Sequence, residues 1–327
     1  MSKSTLQWGL LSTARINRAL IPPLRVSPRN HLLAVASRSP ESAASYAREW
    51  NIPRAYGTYE DLLADPEIDV IYNPLPNHLH KEWTIRAVRA GKHVLCEKPL
   101  ALSPAEVDEM ALVAQQHGKV IAEAFMYRHH PQTLKVKELV ERGAIGKLQL
   151  IRGAFTFRMK TETNIRLNLE MGGGSIWDVG CYPISYARYL AGTEPVEVFG
   201  WQVTGKTGID DSFFGQMKFP NGVYAQFDSG FRSPYRSFVE VVGAEGTIFI
   251  PTPFKPGWNE TITLTREDGA ETIPVPGADL YLGEVEDLAD SILTGTLPRV
   301  TLADSRGNAA AIAALLESAR SGKPIQI

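Results

Sequence analysis

Val94-Leu95-Cys96-Glu97-Lys98-Pro99-Leu100 decides how this chain is read. An apolar run that stops abruptly at Glu97-Lys98-Pro99 is the pattern of a buried parallel strand reaching its carboxyl end, where open α/β sheets bind ligands. Lys98 then stands in a crevice. Pro99 cannot donate to a ladder and biases Lys98 toward extended backbone, which fixes where the ammonium sits. The plainer reading is a solvated lysine ahead of a turn, and the flanking sequence favours the first.

Toward the amino terminus, Leu6 to Leu11 reads as a strand, followed by Ser12-Thr13-Ala14-Arg15-Ile16-Asn17 and a helix through Leu20 that Pro22 and Pro23 are expected to stop. Strand, tight turn and helix start form a dinucleotide cradle, in which amides at the helix start meet a pyrophosphate. The glycine fingerprint is degenerate: Gly9 belongs to the strand, and Ser12 and Ala14 hold the turn positions. Taken alone, this stretch reads more readily as a plain βα turn. A second strand, Leu32 to Ala36, runs into Ser37-Arg38-Ser39. An arginine at this tip faces a 2′-phosphate, so Ser37 and Arg38 favour NADP(H) and leave NAD(H) open; an ordinary exposed arginine is the alternative.

A helix over Ser42 to Trp50 and a short one starting at Tyr59 precede a third strand, Val70-Ile71-Tyr72. Its tip, Asn73-Pro74-Leu75-Pro76-Asn77, is stiffened by two prolines and presents Pro74, Leu75 and Asn77 to a cofactor, with His80 starting a helix to Ala90. After the Lys98 strand come a helix from Pro104 to Gln116 and a strand at Val120 to Ala122. Strands alternating with helices predict a doubly wound parallel sheet.

The carboxyl-terminal half switches to period two at Lys147 to Met159, Phe213 to Phe219 and Val223 to Phe231. Phe213, Met217 and Phe219 share one side while Ser212, Gln216 and Lys218 face the other, so one face is buried. Asn221-Gly222 is a hairpin signal, making the sheet antiparallel there. A sheet with helices on one face needs cover on the other, and self-association into a homodimer or homotetramer through the open sheet is the simplest. Helices are expected near Tyr281 to Thr294 and Leu302 to Arg320. In Gly172-Gly173-Gly174-Ser175-Ile176-Trp177-Asp178-Val179-Gly180-Cys181-Tyr182, the glycines permit close backbone approach to a ligand. Asp178 and Tyr182 share a face if a helix starts near Ser175, although Pro183 would distort it. That face is expected to meet Lys98. The plainer reading makes Asp178 a helix cap and Tyr182 a core aromatic.

Composition narrows the function. With 327 residues, 44% hydrophobic, the chain supports two domains, placed at 1–124 and 125–327. Its 34 basic and 36 acidic residues give a net charge of -2 without long runs, which excludes the electrostatic footprint of a nucleic-acid binder. No window approaches a membrane span. Two cysteines, Cys96 and Cys181, cannot build a disulfide framework, and Met1-Ser2-Lys3-Ser4-Thr5 lacks a signal-peptide core, so a cytoplasmic setting is expected. His78, His80, His129 and His130 cluster in sequence, but their spacing offers no third ligand and no metal is expected.

Trp8 to Ile16, Asn77 to His80, Glu97-Lys98-Pro99, Glu123 to Arg128 and Gly172 to Tyr182 together resemble the Gfo/Idh/MocA oxidoreductases, over essentially the whole chain. The resemblance implies an α/β protein: an amino-terminal Rossmann domain, then a carboxyl-terminal α+β domain with a large open, mostly antiparallel sheet. It also implies a nicotinamide cofactor and a sugar or polyol substrate. Tyr182 stands where many members carry histidine, which resembles the branch of sugar and dihydrodiol dehydrogenases and sugar ketoreductases. Ser12 to Ile16, Ser37, Arg38, the Pro74 to Asn77 loop, His80, Glu97, Lys98 and Arg128 then fall on the cofactor side. Lys98, Asn164, Arg166, Asp178 and Tyr182 fall on the substrate side, with Arg128 also a candidate to shape the sugar pocket.

Hydride transfer at a secondary alcohol needs an acid or base on the oxygen, and Tyr182 is the candidate. A phenol titrates near ~10 and is a poor base unless its anion is stabilised. An ammonium at about 4 Å contributes roughly 4 kcal/mol at an effective dielectric of about 20, before desolvation, which gives Lys98 a role. Lys98 can equally donate to the substrate oxygen, and Asp178 holds the lysine or a substrate hydroxyl. A non-catalytic, dinucleotide-dependent sugar sensor and NAD-dependent glycoside cleavage through transient oxidation are the competing functions.

Overall fold

The computed structural model describes residues 4–161 and 163–327. The chain divides into two compact units, one comprising the sequence up to His129 with Tyr281–Arg306, the other His130–Leu280 with Gly307–Ile327.

The first unit is built on a parallel sheet of six strands: β1 (Leu6–Leu11), β2 (Asn30–Ala36), β3 (Arg54–Tyr56), β4 (Val70–Asn73), β5 (His93–Glu97) and β6 (Ile121–Ala124). Their order is β3-β2-β1-β4-β5-β6, so the order reverses between β1 and β4, the switch point beside which such sheets bind nucleotides. The short β3 carries no alternation long enough to be seen in sequence. Leu10, Val35, Val70, Tyr72 and Leu95 are fully buried along the strands. Trp8 is buried with its indole N–H donating to Asn30 Oδ1 at 2.8 Å, which removes the cost of an unpaired donor. Helix Leu282–Thr294, far along the chain, adds Val285, Leu288 and Ala289 to this core.

Local chemistry sets the helix ends. Ser39 and Ser103 accept the amide hydrogens of Ser42 and Glu106 as N-caps, and Pro40 and Pro104 follow at the first helical position, where no N–H is needed. The first helix corrects an expectation: it runs Asn17–Val26 straight through Pro22 and Pro23. Each internal proline costs on the order of 3 kcal/mol. The buried stripe of Leu20, Ile21 and Leu24 offsets this at roughly 1.5–3 kcal/mol per side chain, and the turn closes by Ser27 N–H to Pro23 O at 3.1 Å.

The second unit carries a nine-stranded sheet: β7 (Leu148–Thr156), β8 (Glu197–Thr204), β9 (Asp210–Lys218), β10 (Tyr224–Gly230), β11 (Arg236–Gly243), β12 (Gly246–Ile250), β13 (Glu260–Arg266), β14 (Gly269–Val275) and β15 (Ile325–Gln326). The order is β14-β13-β12-β11-β7-β10-β9-β8-β15, antiparallel throughout except for the parallel pair β7 and β10. Asn221-Gly222 joins β9 to β10, with Gly222 at φ 83°, a conformation glycine adopts without steric cost. Phe213, Met217 and Phe219 are buried on the inner face, whereas Phe214, Gln216 and Lys218 are exposed.

Candidate active site

In the first unit the turn after β1 departs from helix and strand geometry at one residue. Ser12 sits at φ 83°, in the left-handed region that favours glycine, at a cost of roughly 1–2 kcal/mol. Two bonds hold it there: its N–H donates to Ala36 O at 3.0 Å, and its carbonyl accepts from Asn17 Nδ2 at 2.8 Å. A serine thus does the conformational work of the missing fingerprint glycine, turning Thr13 to Ile16 across the strand tip toward the helix start. Gly9 has a different task, because a Cβ there would lie 3.1 Å from Ile68 and Leu62 side chains. It lets helix and sheet approach. Beside the turn lies a groove of about 460 Å³ lined by Thr13, Arg15, Arg18, Ser42, Ser45, Tyr46 and Glu49. Its two guanidinium groups, Arg15 and Arg18, and four hydroxyls suit an anion, against a single carboxylate, Glu49, which Arg18 meets at 3.4 Å. A dinucleotide therefore fits the chemistry of this strand tip, with backbone amides for a pyrophosphate and arginines for a further phosphate. At the tip of β2, Ser37 N–H bonds Tyr56 O at 3.1 Å, and exposed Arg38 reaches Tyr59, whose hydroxyl burial otherwise pushes up in pKa.

The Lys98 tip is held from three directions. Tyr72, fully buried on β4, donates its hydroxyl to Glu97 Oε1 at 2.5 Å, while Lys98 N–H donates to Glu97 Oε2 at 3.3 Å. Burial, then the Glu97 charge, raises the Tyr72 pKa well above its ordinary value, so this phenol is a fixed donor. Glu123 on β6 accepts from Leu100 N–H at 2.8 Å. His80, fully buried, places Nδ1 2.8 Å from Pro99 O and Nε2 2.7 Å from Leu75 O. Burial lowers its pKa to about 4 against the pull of both carbonyls, so the ring is neutral and donates to one of them. The Lys98–Pro99 peptide is cis, and Lys98 itself is half-buried. Asn73 continues the scaffold, its Nδ2 donating to His80 O at 3.2 Å and Thr84 Oγ1 at 3.1 Å, its Oδ1 accepting from Leu75 N–H at 3.3 Å. Pro74 follows it into the loop, and Asn77 opens a 3₁₀ turn, Asn77–Leu79.

Two expected cofactor contacts turn out to be occupied within the scaffold. His80 has both ring nitrogens against carbonyls and no exposed surface, and so supports the loop from behind. Arg128, also buried, donates Nη1 to Asp304 Oδ2 at 2.8 Å. Of the paired histidines near Arg128, His130 Nδ1 caps helix Pro131–Glu141, and burial lowers the His129 pKa to about 3.

In the second unit Asn164, Arg166, Asp178 and Tyr182 fall along one continuous path. Asn164 Oδ1 caps the 3₁₀ turn Ile165–Leu167 by accepting from Arg166 N–H at 3.0 Å, and Arg166 Nε donates to Asp178 Oδ2 at 2.7 Å. The Gly172 to Gly174 bend packs on the same loop, with Gly173 N–H to Asn168 O and Gly174 N–H to Arg166 O, each 2.9 Å. The expected helix start near Ser175 is present, but its first turn, Ile176–Gly180, is a π turn that leads into α-helix Cys181–Ala191. Pro183 has no N–H to return to that turn, and the chain widens there to i→i+5 bonding, a form common at functional sites. Tyr182 is buried in a ring cluster, 5.3 Å from Phe155 and 5.6 Å from Phe254 between centroids. Its apolar surroundings are those expected of a core aromatic, while its place beside the Asp178 turn is that expected of a reacting group.

Sequence reading gave no site role to Tyr72, Glu123 or Asp210. The signal for Glu123 was a carboxylate inside the apolar run Ile121-Ala122-Glu123-Ala124, a position that requires a partner. Asp210, at the start of β9, left no local signal.

A parallel sheet with a nucleotide-sized cradle at its switch point, and a clamped lysine two strands away, define a dinucleotide-binding oxidoreductase. The chain belongs to the Gfo/Idh/MocA family. Residues 6–125 match the model for the oxidoreductase family with an NAD-binding Rossmann fold, and residues 133–249 match the GFO/IDH/MocA C-terminal domain. It is 35% identical to a D-xylose 1-dehydrogenase (NADP(+)) of Haloferax volcanii over 98% of this chain and 100% of that one. It is 32% identical to a trans-1,2-dihydrobenzene-1,2-diol dehydrogenase of Xenopus laevis, covering 81% and 80% of the two chains. The crystal structure of KijD10, a 3-ketoreductase from Actinomadura kijaniata in complex with NADP and TDP-benzene, superposes with a TM-score of 0.91 at 29% identity, covering 96% and 98%.

Proposed function

We propose that this protein transfers a hydride reversibly between NADP(H) and a secondary alcohol or carbonyl of a sugar or related diol, with Tyr182 as acid/base and Lys98 assisting. The observation that carries this reading is the clamped Lys98 tip. Three side chains, Glu97, His80 and Glu123, hold the backbone of Lys98, Pro99 and Leu100 in turn, a fixed mount that a solvated surface lysine does not need. The nicotinamide, when bound, supplies or accepts the hydride. Lys98 stabilises negative charge on oxygen, and Tyr182 gives or takes the proton. Arg166, aligned by Asp178, donates hydrogen bonds to substrate hydroxyls; the sugar and diol chemistry of the relatives supports this choice of substrate.

The preference for NADP(H) rests on Arg38 with Ser37 and on the arginine-lined groove beside the turn. A second copy of the chain covers the outer sheet face, where Trp201 (56% exposed), Phe214 and Tyr224 stand out on neighbouring strands. Two free, buried cysteines suit a reducing cytoplasm.

The test is a turnover assay with NADPH and NADP⁺ across aldoses, ketosugars and diols, on the parent and on Lys98→Met and Tyr182→Phe. Each variant is expected to lose at least about a hundredfold in kcat with cofactor affinity retained. Activity within a few fold of the parent in both removes the mechanism.

A further inference from the structure

The π turn that carries Asp178 is fastened to the sheet at a point no local pattern marks. Asp210, nearly fully buried at the start of β9, accepts two hydrogen bonds on one oxygen: from Ser175 Oγ at 2.6 Å and from the N–H of Ile176 at 2.7 Å. Ser175 Oγ also lies 3.1 Å from Ser229 Oγ on β10. The second oxygen faces Gly174, whose φ of 127° and close approach admit no side chain, since a Cβ there would collide with Asp210 Oδ1. At the far end of the turn, a Cβ on Gly180 would lie 3.0 Å from Ser229 Oγ. The turn is therefore seated on β9 and β10 at its start and on β10 at its end, with glycines where the backbone presses closest.

We propose that Asp210 is a positioning residue of the reaction: by binding the amide of Ile176 and the hydroxyl of Ser175, it sets the place of the turn that carries Asp178 and leads into the helix that carries Tyr182. A carboxylate is well suited to this. Its bonds are charge-assisted and about twice as strong as neutral ones, and its negative charge lies at the amino-terminal end of a helical segment, where the backbone dipoles favour it. A serine or asparagine within the turn would cap it equally well without tying it to the sheet. Satisfying the cap from a distant strand makes the position of the turn, and not only its shape, part of the fold. The proposal rests on the assignment of Tyr182 as acid/base.

Hydrogen exchange and steady-state kinetics test it together on the full-length protein. Asp210→Ala is expected to speed amide exchange across peptides covering residues 174–182 and to lower kcat at least about thirtyfold, with NADPH affinity within about twofold. Asp210→Asn keeps an acceptor and is expected to recover most of the lost turnover, a rescue that a purely electrostatic role would not show. Unchanged exchange over 174–182 overturns the anchor. Faster exchange with kcat within about threefold overturns its part in the reaction, and so does loss of NADPH affinity in step with turnover. Where Asp210→Ala cannot be purified, Asp210→Asn combined with Ser175→Ala replaces it, with the same expected direction and the same overturning outcomes. Tyr182→Phe in the same assay separates the two ideas: if it turns over like the parent, the acid/base assignment falls and not the anchor.

Discussion

Arg166 donates its Nε–H to Oδ2 of Asp178 at 2.7 Å, joining a capped 3₁₀ turn to the π turn ahead of Tyr182. The arginine is 43% exposed and the aspartate 13%, so water screens the pair and its worth to stability is at most ~1 kcal/mol. Its value lies in direction: one end of the guanidinium is fixed and the other is presented.

Arg166→Ala should therefore raise the KM for the sugar or diol by about tenfold, with kcat within about threefold and a thermal midpoint within a few degrees of the parent. Arg166→Lys should recover little, because an ammonium cannot hold Asp178 and donate a planar pair elsewhere. Substrate titrations of the variants check this, and an unchanged KM in Arg166→Ala removes Arg166 from the substrate side.

Arg38 sits exposed at the tip of β2, close to Tyr59. If it faces a 2′-phosphate, Arg38→Ala should raise the KM for NADPH by about ten- to a hundredfold and leave that for NADH within about twofold. Parallel loss for both cofactors would show a role in folding the tip and no part in cofactor choice.

Much of this was legible in sequence, because the strands β1, β2, β4, β5 and β6 are short apolar runs that end in chemistry-bearing tips. The Asn221-Gly222 hairpin was equally local. What escaped notice was long-range or compensated. Pro22 and Pro23 announce a helix end, but tertiary burial of Leu20, Ile21 and Leu24 carries the helix past them. Ser12 hides a glycine conformation that only its bonds to Ala36 and Asn17 make affordable. His80 reads as a ligand-facing residue beside Asn77, yet the fold turns it inward. Asp210 and Ser175 are 35 residues apart, and nothing in either neighbourhood announces the other.

Three imidazoles of the first unit are neutral: those of His80 and His129 are buried and that of His93 is half-buried. Burial lowers His80 and His93 to about 4 and His129 to about 3. Each folded-state pKa lies below the unfolded value near ~6.5, so the unfolded chain binds protons first as the pH falls. The stability tied to neutral rings is complete above about pH 6.5 and is lost as the pH falls toward 4. For His80 alone it amounts to about 3 kcal/mol as an upper bound. Thermal unfolding from pH 7.5 to 4.5 should show the midpoint falling steeply below about pH 6, and His93→Gln should flatten that slope. A midpoint constant down to pH 4.5 would contradict neutral burial.

Asp210 titrates in the opposite sense. Burial raises its pKa from the ordinary 3.8 to about 6, while the Ser175 hydroxyl and the Ile176 amide pull it down by less. Below about pH 4 both folded and unfolded chains carry the protonated acid, and no charge is buried. Between about pH 4 and 6 the unfolded chain has given up this proton while the folded state still holds it, so stability drops by up to about 3 kcal/mol across that window and levels off above it, where the folded state carries a buried carboxylate. Asp210→Asn cannot ionise but still offers an oxygen to Ser175 and Ile176. Its thermal midpoint relative to the parent should therefore climb by several degrees between pH 4.5 and 8, even as its turnover stays at or below the parent's. A difference that stays flat across that range would mean Asp210 is ionised at no cost in the fold, and that the helical turn it binds fully compensates its charge.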